Sequence, residues 1–349
     1  MLKIGEHELT KKEMVAAVIL VLVVGVLIWF MIGLKPKPVV LHAPAQPGAV
    51  LLEGGQAGAG TGQFSYPRGI AVDSHGAIYV ADSRNHRIQK ISKDGKFLDQ
   101  FGGFFNVGGG DVKKVTSTAP GKLNEPNGVA VGPDDSVYVI DSWNGRVQVF
   151  SPKGKNTSIF TTEDGFWGPR EIAVSSTGLV YVADTGKHRI VEFDNKGKKL
   201  RAWGKLDSKT GQAVKGDKQG EFNEPIGLAL DQAGNLYVAD RLNFRIQVFS
   251  GDGHYVRQWP VDGWATEQID MEPHMALDQA HGILYVTDGR GKKIYCYDIK
   301  DGKKVATIDK SAAGADYFQV PIGVAVDKDG NLYVVDAGLG KVVKMKGQF

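Results

Sequence analysis

The residues best suited to chemistry in this 349-residue sequence come in pairs. An aspartate closes each Tyr-Val-x-Asp run, at Asp82, Asp141, Asp184, Asp240, Asp288 and Asp336. A basic residue stands five positions after each, at Arg87, Arg146, Arg189, Arg245, Lys293 and Lys341. A carboxylate and a cation at that spacing could exchange protons, or could pair across a tight turn. Six copies of one catalytic pair in one chain make an implausible enzyme. The pairs therefore read as structural, with Asp accepting backbone N–H groups in a turn and the basic residue bridging it. Partly exposed, each is worth about 1 kcal/mol or less. The turns Asp73 to Gly76, Asp231 to Gly234 and Asp327 to Gly330 are likewise hairpin chemistry rather than calcium loops. One cysteine, Cys296, rules out an intrachain disulfide and reads as a small core residue in the run Ile294-Tyr295-Cys296-Tyr297.

The elements that position these pairs repeat with them. In residues 64–91, Ile70 and Val72 precede a polar turn, Ile78, Tyr79 and Val80 follow it, and a second turn leads to Ile88 and Ile91. Three short strands joined by hairpins fit that pattern, and they cannot bury their own apolar faces. A proline opens each unit 15 residues before its aspartate: Pro67, Pro126, Pro169, Pro225, Pro273 and Pro321. Successive aspartates lie 43 to 59 residues apart, a period that predicts propeller blades rather than a helical solenoid. The two longest steps hold insertions at residues 103–120 and 205–220. The fifth unit is shifted, its inner strand Met275-Ala276-Leu277-Asp278 aligning one residue early. A fourth strand follows the third in most units, as in Phe97-Leu98-Asp99-Gln100-Phe101, but the chain ends soon after Val342-Val343-Lys344-Met345. Residues 49–54, with Leu51 and Leu52 buried, are expected to supply the missing outer strand and close the ring.

The unit P-x-G-I-A-V-D-x-x-G-x-I-Y-V-A-D-S-x-N-H-R-I-Q resembles the NHL repeat, over roughly residues 49–349. The resemblance implies an all-β, six-bladed β-propeller. NHL propellers include binding modules, receptor sensor domains and a few enzymes, so function has to be argued from the site.

Position-specific differences mark that site. Residues just after the prolines should ring the channel mouth: Arg68, Asn127, Arg170 with Glu171, and His274. Hairpins on the same face add Trp143, Arg241 and Phe244, expected to be exposed, and the first insertion adds Phe104, Phe105, Lys113 and Lys114. Arginines and aromatics together fit a protein-recognition rim. An enzyme fits less well. The amidating-lyase resemblance implies zinc on histidines placed after the blade prolines, and only His274 is so placed. A calcium-dependent lactonase type needs converging acidic and amide ligands; Asn127 and Glu171 qualify, but Arg68 and Arg170 oppose a cation. No cofactor is expected. With 42 Lys and Arg against 39 Asp and Glu, a nucleic-acid binder is not expected either.

Ahead of the repeats, Met14 to Leu34 is 21 residues without a charge. A helix of that length spans about 31 Å, enough to cross a bilayer, and it exceeds the 7–15 residues usual for the apolar core of a signal peptide. Thr10 and Glu13 have capping-box spacing for its start. Lys3, Lys11 and Lys12 before the span favour an N-terminus inside, with the propeller on the extracytoplasmic side of an inner membrane. Residues 35–48 hold four prolines and read as an extended stalk. The expectation is a membrane-anchored, six-bladed propeller that binds other subunits of a membrane or envelope complex. The alternatives are a receptor for a peptide, glycan or small molecule, and a metal-dependent lyase or hydrolase.

Overall fold

The computed structural model describes residues 3–4, 7–8, 49–103, 118–261, 263–264, 272–310 and 316–347. The expected membrane helix Met14–Leu34, the stretch 35–48, and Phe104, Phe105, Lys113 and Lys114 lie outside these residues. Among the described residues no helix is long and apolar enough to cross a membrane. The chain divides into two units, Met1–Ala45 and Gln46–Phe349. In the first, Lys3–Ile4 pairs antiparallel with His7–Glu8.

In the second unit, six four-stranded antiparallel sheets form the blades. Blade 1 runs from its inner strand Ile70–Val72 through Ile78–Asp82 and Arg87–Ile91 to the outer strand Phe97–Phe101. Blades 2, 3, 4 and 5 repeat that order, starting from inner strands Pro126–Val131, Glu171–Val174, Pro225–Leu230 and Met275–Asp278. The second strands of blades 1 to 5 are buried along their whole length, as Ile78–Asp82 and Val137–Asp141 are. That burial explains their near-continuous apolar runs, since sheets of neighbouring blades cover both faces. Outer strands carry solvent on one face and alternate accordingly; Phe101 is buried while Leu98 is half-exposed.

The first hairpin explains the tyrosine in blades 1, 4 and 6. Asp73 Oδ1 accepts the His75 and Ala77 N–H groups at 3.0 and 2.7 Å, and the Tyr79 hydroxyl donates to Oδ2 at 3.3 Å. Asp231 takes the Asn235 N–H and the Tyr237 hydroxyl, and Asp327 those of Asn331 and Tyr333. Burial pushes the Tyr181 and Tyr237 phenols up to about 12, so they remain donors across the working pH range.

Blades meet at their inner strands. A Cβ on Gly323 would lie 1.9 Å from the Arg68 carbonyl of the next blade, and one on Gly227 would lie 2.6 Å from that of Pro273. Only glycine permits that approach. A hydroxyl near the end of the second strand then ties one blade to the next: Ser83 donates to Pro126 O at 2.6 Å, Ser142 to Pro169 O at 2.9 Å and Thr185 to Pro225 O at 2.7 Å. Aromatic side chains fill the outer seams, as where Phe101 meets Phe150 and Phe160 meets Phe193, with ring centres 4.6 and 4.9 Å apart.

Blade 6 draws its strands from both ends of the unit. Pro321–Val326, Asn331–Asp336 and Lys341–Lys346 are followed in space by Val50–Gly54, with Val342 opposite Gly54 and Met345 opposite Val50. The leucines differ from expectation. Leu51 is 43% exposed and Leu52 only half-buried, because an outer strand has one solvent face and closure rests on backbone pairing.

Candidate recognition site at the channel mouth

The aspartates of the repeat are buried hubs. Asp82 accepts the Ser65 N–H at 2.7 Å, Arg87 Nε at 2.7 Å, Gln89 Nε2 at 3.0 Å and the Asn85 side-chain amide. Arg87 continues to the carbonyls of Gly60 and Gln63, pinning the segment that leads into the blade. Asp141, Asp184 and Asp240 hold Arg146, Arg189 and Arg245 at 2.7 to 2.8 Å in the same way. Burial pushes the carboxyls of Asp82, Asp184 and Asp240 up, and the N–H donors and arginines push them back. No substrate reaches these groups, each of which is 0% exposed.

Among the described residues the expected ion pair does not recur in blades 5 and 6. Asp288 takes the Gly291 N–H at 2.7 Å and the Tyr295 hydroxyl at 3.1 Å. Asp336 takes four backbone N–H groups, from Gln319, Val320, Gly338 and Leu339, and Lys341 turns to Glu53 at 3.3 Å. A lysine has no planar fork to bridge carboxylate and loop carbonyls together, so backbone donors take over.

The strand starts do converge. His274 Nδ1 contacts the Glu171 carboxylate, joining blade 5 to blade 3, and both residues are buried. Asn127 is fully buried, and neither atom of its side-chain amide has a hydrogen-bond partner among the described residues; the same holds for His274 Nε2. Glu272 forms ion pairs with two arginines, Arg68 Nε at 2.8 Å, close but not aligned as a hydrogen bond, and Arg170 Nη1 at 3.2 Å. Arg68 also approaches Glu125 at 3.9 Å and lies over the Tyr66 ring, 5.1 Å from its centre. One carboxylate thus bridges blades 1 and 3 from the segment entering blade 5. Glu272 escaped the sequence reading, yet a signal existed. The residue before the blade proline is also acidic at Glu125 and Glu224. Among the described residues no group of three or more His, Cys, Asp or Glu stands together as a metal site.

Of the three hairpin residues expected to be exposed, one is. Trp143 is 72% exposed. Arg241 is 6% exposed and paired with Glu224; it holds the place that Ser83, Ser142 and Thr185 hold in other blades, facing the seam. Phe244 is half-buried against the cluster of Val261 and Trp264. Its φ of 53° is the left-handed cap of a short 3₁₀ turn, which turns the side chain into the seam between blades. Trp167 was missed. It is 69% exposed, two residues before Pro169, where other blades carry Ser65, Asn124, Asn223 and Gln319. A large aromatic at a position held by polar residues in four other blades, and by Met271 in blade 5, was the available signal.

The NHL repeat family model matches residues 64–91, 123–150, 166–193 and 222–249, the cores of blades 1 to 4. The chain is 40% identical over 82 residues, 24% of its length, to RING finger protein nhl-1 of Caenorhabditis elegans, covering 8% of that protein. It is 32% identical over 117 residues, 33% of its length, to peptidylglycine alpha-amidating monooxygenase of Rattus norvegicus, covering 11% of that protein. The chain thus spans about a tenth of the length of these relatives. Among solved structures it resembles a streptogramin B lyase with a TM-score of 0.52 at 16% identity, covering 81% of this chain and 94% of that one. A nidogen/laminin complex matches with a TM-score of 0.52 at 17% identity, covering 74% and 84%. Sequence and fold agree: this chain carries NHL repeats within a six-bladed β-propeller.

Proposed function

We propose that this propeller is a protein-binding accessory or scaffold subunit of a membrane or envelope complex. In this reading Met14–Leu34 anchors it in an inner membrane and the propeller stands on the extracytoplasmic side. One observation carries the binding reading: Trp143 is 72% exposed on a rigid hairpin of the rim that also bears Arg170. Exposed tryptophan and arginine dominate interface energies. The bridge of Glu272 to Arg68 and Arg170 lies across the channel mouth, which favours recognition on the rim over entry into the channel. The uncharged 21-residue stretch supports the anchor.

The test is purification of the full chain from membranes in mild detergent, with mass spectrometry of what accompanies it. The reading expects a stoichiometric partner that W143A weakens by about 2 kcal/mol. It also expects an intact N-terminus; a mature protein starting at or after Gln46 removes the anchor. A second reading, a receptor or metal-dependent enzyme acting in the channel, draws on the unpartnered Asn127 amide and His274 Nε2 beside Glu171. Metal analysis of the purified protein, with N127A and H274A as controls, separates the two.

A further inference from the structure

The rim is not the same at every seam. In blades 1 and 3 the left-handed cap after the 3₁₀ turn is His86 or His188. Each imidazole Nδ1 accepts the N–H of the residue before the next blade's proline, Glu125 or Glu224, at 3.0 Å. The histidine thus spans the seam. Between blades 2 and 3 both positions are glycine: Gly145 holds the cap at φ 60° and Gly168 precedes Pro169 at φ 57°. Two missing side chains leave a cleft of about 300 Å³. The two most exposed aromatics described, Trp143 and Trp167, line it together with the buried Phe166 and with Arg170.

We propose that this cleft binds an extended, proline-bearing peptide segment with an adjacent carboxylate; this rests on the protein-binding reading above. A proline ring is compact and apolar and suits an aromatic-lined groove, and a polyproline II segment reaches it already ordered. Arg170 is the one charged residue lining the cleft, and its side chain is 34% exposed. A guanidinium has five donors, and the one polar contact of this one among the described residues is Nη1 on Glu272. It therefore has capacity for an incoming carboxylate. A sugar fits less well, because its hydroxyls need several polar partners. The Ser142 hydroxyl in the cleft wall is already committed to Pro169 O at 2.9 Å, leaving little beyond the indole N–H groups and Arg170.

The experiment is fluorescence polarisation of a labelled nonapeptide of Pro-Pro-Glu repeats titrated with the full chain, beside a Pro-Pro-Lys control and a neutral oligosaccharide. Binding is expected for the Glu peptide alone. Trp143→Ala and Trp167→Ala should each weaken it about tenfold or more. Arg170→Gln should erase the preference for Glu over Lys. Gly145→His introduces the residue that blades 1 and 3 carry at the same φ and leaves both tryptophans in place. Its Cβ would lie 3.2 Å from the Phe166 carbonyl, so it should abolish binding while lowering the melting temperature by only a few degrees. The proposal is overturned if the chain binds neither peptide, if the oligosaccharide binds and depends on Trp167, or if Gly145→His binds normally. A native partner that co-purifies equally with wild type and with the Trp143→Ala/Trp167→Ala double variant would leave the protein-binding reading standing and remove the cleft from it.

Discussion

Blades 1 to 4 and blades 5 and 6 share one fold but hold it with different bonds. In the first four, a buried aspartate binds an arginine that reaches on into the entering loop, as Asp82 and Arg87 do. In the last two the basic residue is lysine, and the aspartate is satisfied by backbone N–H groups or by Tyr295. The four segments that the NHL model matches are the four arginine blades. The blade itself needs only that the buried carboxylate be satisfied.

The comparison can be broken most severely at blade 6, whose outer strand comes from the other end of the propeller. Deleting residues 49–54 should expose the edge of Lys341–Lys346 and lower the melting temperature by roughly 10 °C or more; an unchanged melt would mean the ring closes without them. Leu52→Asp alone should cost far less, because that side chain is only half-buried.

Next in size is the hub itself. Asp240→Ala strands the buried Arg245 and should cost about 3–5 kcal/mol. Lys293→Ala in blade 5 should cost less than about 1 kcal/mol, since no ion pair joins it to Asp288 among the described residues. Equal losses by chemical denaturation would erase the distinction between the two groups of blades.

The smallest effect is a pH dependence inside an arginine blade. Hydrogen bonds from Arg189 and then Lys187 hold the Asp164 carboxyl well below the usual carboxylate range. A depressed folded-state pKa contributes stability that is present above the unfolded value near 3.9 and is lost as the pH falls through and below it. Asp164→Asn should therefore flatten the acid limb of the melting temperature plotted against pH. The change should be slight, because the side chain is 52% exposed. A limb of unaltered slope would show that Asp164 adds nothing to the hold of Asp184 on Arg189.

Much of this architecture was legible in the sequence because it is periodic. Tyr-Val-x-Asp marks a strand end, Pro-x-Gly marks the close approach of neighbouring blades, and the sixth unit's missing strand has a counterpart at Val50-Leu51-Leu52. The site was legible only in part, for the opposite reason. Arg241 and Phe244 stand in a hairpin that faces the rim, but position in a hairpin does not give side-chain direction; a left-handed cap turned Phe244 inward and the seam took Arg241. Glu272 and Trp167 precede the prolines, outside the strands on which periodicity acts. Their partners, Arg68 in blade 1 and the glycine pair at the next seam, lie far off in sequence or have no side chain to notice.

The pairing of Val50–Gly54 with Lys341–Lys346 also sets an order in time. Glu53 and Lys341 touch across 288 positions of sequence. At about 5–20 residues per second, a growing chain takes on the order of 15–60 s to supply the second after the first. For that interval the earliest strand of the propeller lacks its native partner, and any blades already formed stand as an open arc. A nascent chain interrupted before Lys341 therefore leaves strand edges unpaired on which another copy could pair.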